Sequence, residues 1–237
     1  LLKKLLLHSQ YYSILIQLMK QQAIKFEFRE AKNRENYIVG NSNANAIKWI
    51  DKYPNWKNSG LIIEGPKSSG KSHLVSVWQN KSNCNIFSSE QVNREEINAS
   101  DNNNLAIENL EHIRNYEFFL HLINFKKEKK LKYLLTTSQS ITSLNISLND
   151  INSRLLELPK VKITLPSDDL LKGLIIKLLK DKGIIITTKL LDYAITRIER
   201  SYEAVNLFIQ DLNNISLEKK KNISISLIKE LIEKDYR

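Results

Sequence analysis

Apolar residues fall along this chain in two regimes. Up to about residue 165, short apolar runs alternate with stretches of helical spacing. Ala44, Ile47 and Ile50 recur at helical spacing behind Asn43, a residue suited to cap a helix. Asn55 and the stretch Asn58–Gly60 mark a loop. Leu61, Ile62 and Ile63 are continuously apolar and stop at Gly65, the pattern of a strand buried on both faces. Leu74, Val75 and Trp78 then share a helix face, and Ile86-Phe87 reads as a second short strand. Residues 95–104 are polar and asparagine-rich, which predicts a loop. Leu105-Ala106-Ile107 is a third apolar run ending at Glu108, followed by a helix face of Phe118, Phe119, Leu122 and Ile123 and a basic turn from Lys126 to Lys130. Tyr133-Leu134-Leu135 is a fourth strand, running into Thr136-Thr137-Ser138, and the alternating residues 161–165 are a fifth. Strands that alternate with helices predict a parallel sheet with crossover helices.

Pro166 closes that region, and everything beyond it has helical spacing. Ser167 is placed to cap a helix with Asp168 and Asp169 in its first turn, where the helix dipole favours acids. Leu170, Leu171, Leu174, Ile175, Leu178 and Leu179 form its stripe, and Gly183 stops it. Leu190, Leu191, Ala194, Ile195 and Ile198 predict the next helix, Val205, Phe208, Ile209 and Leu212 a third, and Ile228, Leu231 and Ile232 a fourth. Such stripes read as core. The expected division is residues 36–166 as an α/β nucleotide-binding domain and residues 167–237 as a small all-helical lid, with residues 19–35 as a polar arm.

Composition narrows this only a little. A chain of 237 residues can hold one nucleotide-binding core plus a small helical domain, or one larger domain. With 42% hydrophobic and 26% charged residues, a packed core is expected and global disorder is not. No apolar run reaches the roughly 18 residues that a membrane span needs. The single cysteine, Cys84, cannot form an internal disulfide, which fits a reducing cytoplasm. The formal charge of +10 fits nucleic acid or another anionic partner. Heavy use of lysine, isoleucine and asparagine fits AT-rich coding DNA equally well. The chain begins at Leu1 and its only methionine is Met19, so translation is expected to start there, leaving residues 1–18 untranslated or disordered.

Gly65-Pro66-Lys67-Ser68-Ser69-Gly70-Lys71-Ser72 matches G-x-x-x-x-G-K-[ST] in full, a pattern met by chance in about 1% of chains this long. The glycines let the backbone turn its N–H groups inward onto phosphate oxygens, and the helix that follows adds its positive end. Lys71 should reach the β- and γ-phosphates, and Ser72 should place its hydroxyl on Mg²⁺. His73, next in line, reads as a helix residue beside the bound nucleotide. Glu108, at the end of the third strand, is the expected metal-serving acid. Asn109 follows it, where many P-loop ATPases carry a second carboxylate that polarises the attacking water. An amide cannot accept that proton. Glu111 is the nearest substitute.

Together with this loop, Asn36-Tyr37-Ile38-Val39-Gly40-Asn41-Ser42-Asn43, Leu134–Ser138, Asp150–Leu155 and Arg200-Ser201 resemble, in order and spacing, the AAA+ module of the bacterial replication initiator DnaA. The likeness is closer to its short regulatory homologues of the Hda type, which reset DnaA after initiation. It implies an α/β P-loop AAA+ parallel sheet with crossover helices and a helical lid, ADP or ATP with Mg²⁺ as cofactors, and a cytoplasmic location. It implies that Tyr37, Ile38, Val39 and Asn43 line the adenine pocket, that Thr137 or Ser138 is the polar sensor, and that Arg154 is an arginine finger reaching into a neighbouring subunit. Hda-type proteins also carry a short motif that docks on the β sliding clamp of DNA polymerase III, and Gln21-Gln22-Ala23-Ile24-Lys25-Phe26 is similar to it. Gln21 would fill a polar subsite and Ile24 and Phe26 an apolar groove, with Gln22 standing where leucine is usual.

The resemblance thus implies DnaA and the sliding clamp as partners and a homodimer or wider AAA+ assembly as the form. With Arg237 following directly on the lid helices, the expectation is a chain without the DNA-reading helix-turn-helix of DnaA. Asn109, and Ala204 where DnaA has a lid arginine that senses the γ-phosphate, imply slow turnover. The expected function is repression of re-initiation by stimulating ATP hydrolysis on DnaA with the DNA-loaded clamp. The alternative is an AAA+ loader or remodeller that binds nucleic acid directly through Lys126–Lys130 and Lys219–Lys221.

Overall fold

The computed structural model of the chain describes residues 33–98, 101–219 and 224–235. Met19, residues 1–18 and the clamp-like Gln21, Ile24 and Phe26 lie outside these, as do Lys220 and Lys221. Five short strands, β1 (Gly60–Glu64), β2 (Asn85–Ser88), β3 (Leu105–Glu108), β4 (Tyr133–Thr137) and β5 (Lys160–Lys162), form one parallel sheet in the order β2-β3-β4-β1-β5. Central β1 and β4 are buried at every residue, while edge strand β5 buries only Val161.

Side chains alternate across a strand, and that alternation builds the two cores. Leu61, Ile63, Ala106 and Leu134 pack with α1 (Ala44–Asp51) and α2 (Lys71–Ser82) around Ile50, Leu74 and Trp78. Ile62, Leu105, Ile107 and Leu135 pack with α4 (Tyr116–Glu128) and α5 (Asn149–Glu157) around Phe119, Leu122, Ile151 and Leu155. The short α3 (Ser89–Asn93) lies between β2 and β3 and carries a full capping box, Ser88 with Gln91. Trp56 stacks on Trp78 with ring centres 5.4 Å apart, and its indole N–H donates to the Trp49 carbonyl at 2.8 Å.

Helices α6 (Asp168–Asp181), α7 (Thr188–Ile195), α8 (Tyr202–Lys219) and α9 (Ile225–Asp235) follow. Their core, with Ile175, Leu179, Leu191, Ala194, Val205, Phe208, Leu212 and Ile228 at its centre, is separate from the two on the sheet. Each fully buried leucine or isoleucine in it contributes about 1.5–3 kcal/mol against the entropy of ordering the four helices. The Ser167 hydroxyl accepts the Leu170 N–H at 3.4 Å, the cap that its position predicts, and Thr187 does the same for Leu190. No helix among the described residues is long and apolar enough to cross a membrane.

Three local readings of the sequence change. Asn43 stands at the N-cap of α1 but does not cap it: its carboxamide turns back to the preceding loop. The fifth strand ends at Lys162, because Thr164 N–H leaves the sheet for the Ser42 carbonyl. Lys126 is no turn residue. It sits inside α4 on the stripe of Phe119, Leu122 and Ile123, only 2% exposed, with its ammonium donating to the Asp101 carbonyl. That removes it from any basic surface.

Candidate functional site

The glycine loop leaves the buried end of β1 and enters α2. Gly70, the N-cap of α2, has φ of 86°, a left-handed conformation that a side chain disfavours. A Cβ there would meet the Tyr37 ring at 3.2 Å, and one at Gly65 would stand 2.9 Å from both Ile163 and the Ser69 hydroxyl. Dihedral angle therefore demands the glycine at position 70, and space the one at position 65. Lys71 is buried, and its Nζ donates to the carbonyls of Gly65 at 2.7 Å and Pro66 at 2.9 Å. Burial lowers its pKa, against the opposing charges of Glu111 and then Glu108. The Ser69 hydroxyl is buried without a hydrogen-bond partner among the described residues. A buried, unsatisfied polar atom beside a buried ammonium and a helix N-terminus suits a phosphate group.

These groups open into a cavity of about 470 Å³. Lys67, Ser68, Ser69, Gly70, Lys71, Ser72 and His73 line one side, and Asn109, Glu111, His112 and Ser138 another. Asn36, Tyr37, Ile38 and Asn43 close the end next to Gly70 and His73. Asn43 acts as a brace there: its Oδ1 accepts the Gly40 N–H at 2.8 Å and its Nδ2 donates to the Ile38 carbonyl at 2.9 Å. Val39, between them, points outward, 46% exposed and outside the cavity. The Tyr37 ring meets His73 edge-on at 5.2 Å, and His73 Nε2 lies 2.8 Å from the Asn33 carbonyl, to which it must donate. Burial pushes the Tyr37 phenol well above its ordinary pKa, so it stays a neutral wall.

The helical bundle supplies the remaining wall: Leu174, Lys177 and Leu178 from α6 and Tyr202, Val205 and Asn206 from α8. The sequence reading assigned Leu174 and Leu178 to core and did not single out Lys177. Their i, i+3, i+4 spacing was the available signal. Tyr202 hydroxyl lies 2.9 Å from the Ser42 hydroxyl and so ties the bundle to the sheet, and Arg200 pairs with Asp168 through Nε at 3.0 Å. Ala204 is buried in the bundle core, so no side chain from that position faces the cavity.

Of the two sensor candidates at the end of β4, Ser138 lines the cavity. Thr137 is fully buried, and its hydroxyl is engaged with the Gln139 backbone. Glu108 lies at the end of β3 near Lys71 but outside the cavity lining, whereas Glu111 lines it. No cluster of three or more metal-ligating side chains exists among the described residues. A hydroxyl at Ser72 with one strand-end carboxylate fits Mg²⁺ of the kind shared with phosphates, which needs few protein ligands.

Arg154, on α5, stands elsewhere. It lines a cavity of about 230 Å³ with Lys57, Ser59, Lys127, Tyr133 and Glu157, at the N-terminal ends of β1 and β4. The glycine loop leaves the other end of β1, five residues or about 15 Å away. No ion pair or side-chain hydrogen bond holds Arg154 among the described residues. Burial pushes the Tyr133 phenol up to about 12, with the Arg154 charge opposing.

A parallel sheet with the glycine loop at the end of β1, and a helical lid lining the cavity beside it, define a P-loop fold of the AAA+ class. Solved structures show which members it is similar to. Domain III of the replication initiation protein DnaA from Thermotoga maritima superposes with a TM-score of 0.73 over 86% of this chain and 96% of its own, at 17% identity. DnaA from Aquifex aeolicus bound to AMPPCP gives 0.63 over 78% of this chain and 68% of its own, at 18% identity. The Holliday-junction branch migration motor RuvB of Thermotoga maritima gives 0.64 over 87% of this chain and 73% of its own, at 13% identity. At such identities the likeness is one of fold. No protein-family model matches the chain, and no curated protein sequence matches it.

Proposed function

We propose that this chain binds ADP or ATP with Mg²⁺, turns it over slowly, and represses replication re-initiation by completing the ATPase site of DnaA in trans. The observation that carries the reading is the distance between Arg154 and the chain's own glycine loop. A guanidinium that no carboxylate among the described residues pairs with, on the far end of the sheet from Lys71, has no use at its own nucleotide. It is free to meet the phosphates of a neighbouring AAA+ subunit. An arginine finger supplied in trans is worth about 10³–10⁵ in rate. Asn109 and the buried Ala204 support weak hydrolysis at the chain's own site, so its nucleotide serves mainly to set the sheet and lid. The clamp-like segment at Gln21, Ile24 and Phe26 would bring the protein to the DNA-loaded β sliding clamp.

The test is ATP hydrolysis by DnaA with clamp loaded on DNA. Wild-type protein accelerates it, Arg154→Ala abolishes the acceleration, and Gln21→Ala removes its clamp dependence. An Arg154→Ala protein as active as wild type overturns the reading. Salt-sensitive DNA binding without clamp, in place of any effect on DnaA, would point instead to a loader acting on nucleic acid.

A further inference from the structure

The chain has an amide, Asn109, at the position that follows the strand-end acid. Asn109 adopts φ 61° and ψ 55°, the left-handed region that asparagine tolerates. That kink starts a single 3-10 turn, Leu110–His112, closed by His112 N–H donating to the Asn109 carbonyl at 3.0 Å. The turn buries Leu110 and swings Glu111 into the nucleotide cavity. Glu111 is the only carboxylate among the described residues that lines that cavity. Ser138 holds it there: the Ser138 hydroxyl donates to Oε1 at 2.5 Å, and the Ser138 N–H lies 3.2 Å from each carboxylate oxygen. Its charge acts on Lys71 more strongly than that of Glu108.

Resting on the nucleotide site proposed above, we propose that Glu111 is the catalytic carboxylate of this chain, taking the proton from the water that attacks the γ-phosphate. The water oxygen bonds to the γ-phosphorus while the bond from that phosphorus to the β–γ bridging oxygen breaks. The electron pair leaves on ADP, and the proton passes to a Glu111 oxygen and then to solvent through the cavity mouth. Ser138, at the end of β4, sets the carboxylate's direction. The carboxylate is thus displaced by two residues of chain, from position 109 to Glu111, and a left-handed asparagine makes the displacement possible.

The test uses the full chain with ATP and Mg²⁺. Glu111→Gln keeps an oxygen that can accept the Ser138 hydrogen bonds, so it should melt within a few degrees of wild type and bind ADP and ATP within about threefold. Its single-turnover hydrolysis rate should fall by about 10²-fold or more, the contribution of a positioned general base. Glu111→Asp, which keeps the base and shortens it, should retain part of the rate. Hydrolysis by Glu111→Gln at the wild-type rate overturns the proposal. So does a loss of ATP affinity as large as the loss of rate, which would make Glu111 a binding group, and so does a wild type that binds ATP without hydrolysing it. In those three outcomes the nucleotide site stands. Failure of the wild type to bind any adenine nucleotide overturns the site and the proposal together.

Discussion

Replacing Gly70 with alanine tests whether the glycine loop is a working phosphate cradle. The residue sits at φ 86°, and the left-handed conformation costs an L-residue with a Cβ about 1–2 kcal/mol. The new methyl would also press on the Tyr37 ring at 3.2 Å, where only a shift of a few tenths of an ångström relieves it. Two relaxations are open. If the loop keeps its shape, the strain stays in the folded state, and the melting midpoint falls by about 2–8 °C for a chain of this size. If the loop yields, its amides lose their aim, and ADP affinity falls by about 5–30-fold for the same free energy. Because Tyr37 also lines the cavity, yielding there weakens affinity further. Differential scanning calorimetry without nucleotide and titration calorimetry with ADP and Mg²⁺ read both routes. A variant unchanged in both measurements would refute the reasoning, since the strain must appear in one or the other.

Three further outcomes follow from the same geometry. Arg154→Ala should leave the chain's own ADP affinity within about twofold by titration calorimetry, because about 15 Å of sheet separates it from Lys71; a large loss would place the arginine in its own site. Ala204→Arg should not restore γ-phosphate sensing: the position is 7% exposed in the bundle core, and an unpaired buried charge should cost about 3 kcal/mol or more in urea denaturation, with no gain in ATP affinity. Burial raises the Glu111 pKa, but hydrogen bonds from Ser138 outweigh it and hold the carboxyl below its ordinary value. That stabilisation is present above the unfolded-state pKa and is lost as pH falls through the folded one. Ser138→Ala should therefore flatten the acid side of a melting-midpoint profile taken from about pH 6 to pH 3, and an unaltered slope would contradict it.

Local chemistry made much of this protein legible from its residues alone. The eight-residue glycine motif, the apolar run before it and the amphipathic helix after it announce a phosphate loop because each requirement is satisfied within a short span of chain. The Ser167 cap, the stripes of α6 to α9 and the near-continuous apolar strands are legible for the same reason: 3.6- and 2-residue periods record which face is buried. Tertiary structure decided what a period cannot record. Leu174 and Leu178 sit on the same stripe as buried Ile175 and Leu179, and only the approach of the bundle to the glycine loop makes them cavity wall. Lys126 reads as a surface charge until the fold offers its ammonium the Asp101 carbonyl. Val39 lies between two cavity residues yet faces out, because Asn43 braces the turn from Ile38 to Gly40. Glu111 enters the site through one left-handed residue, a single dihedral that leaves no mark on hydropathy. Neighbours along the chain set each element, whereas the site is made of residues far apart in sequence, and its geometry exists only where those elements meet.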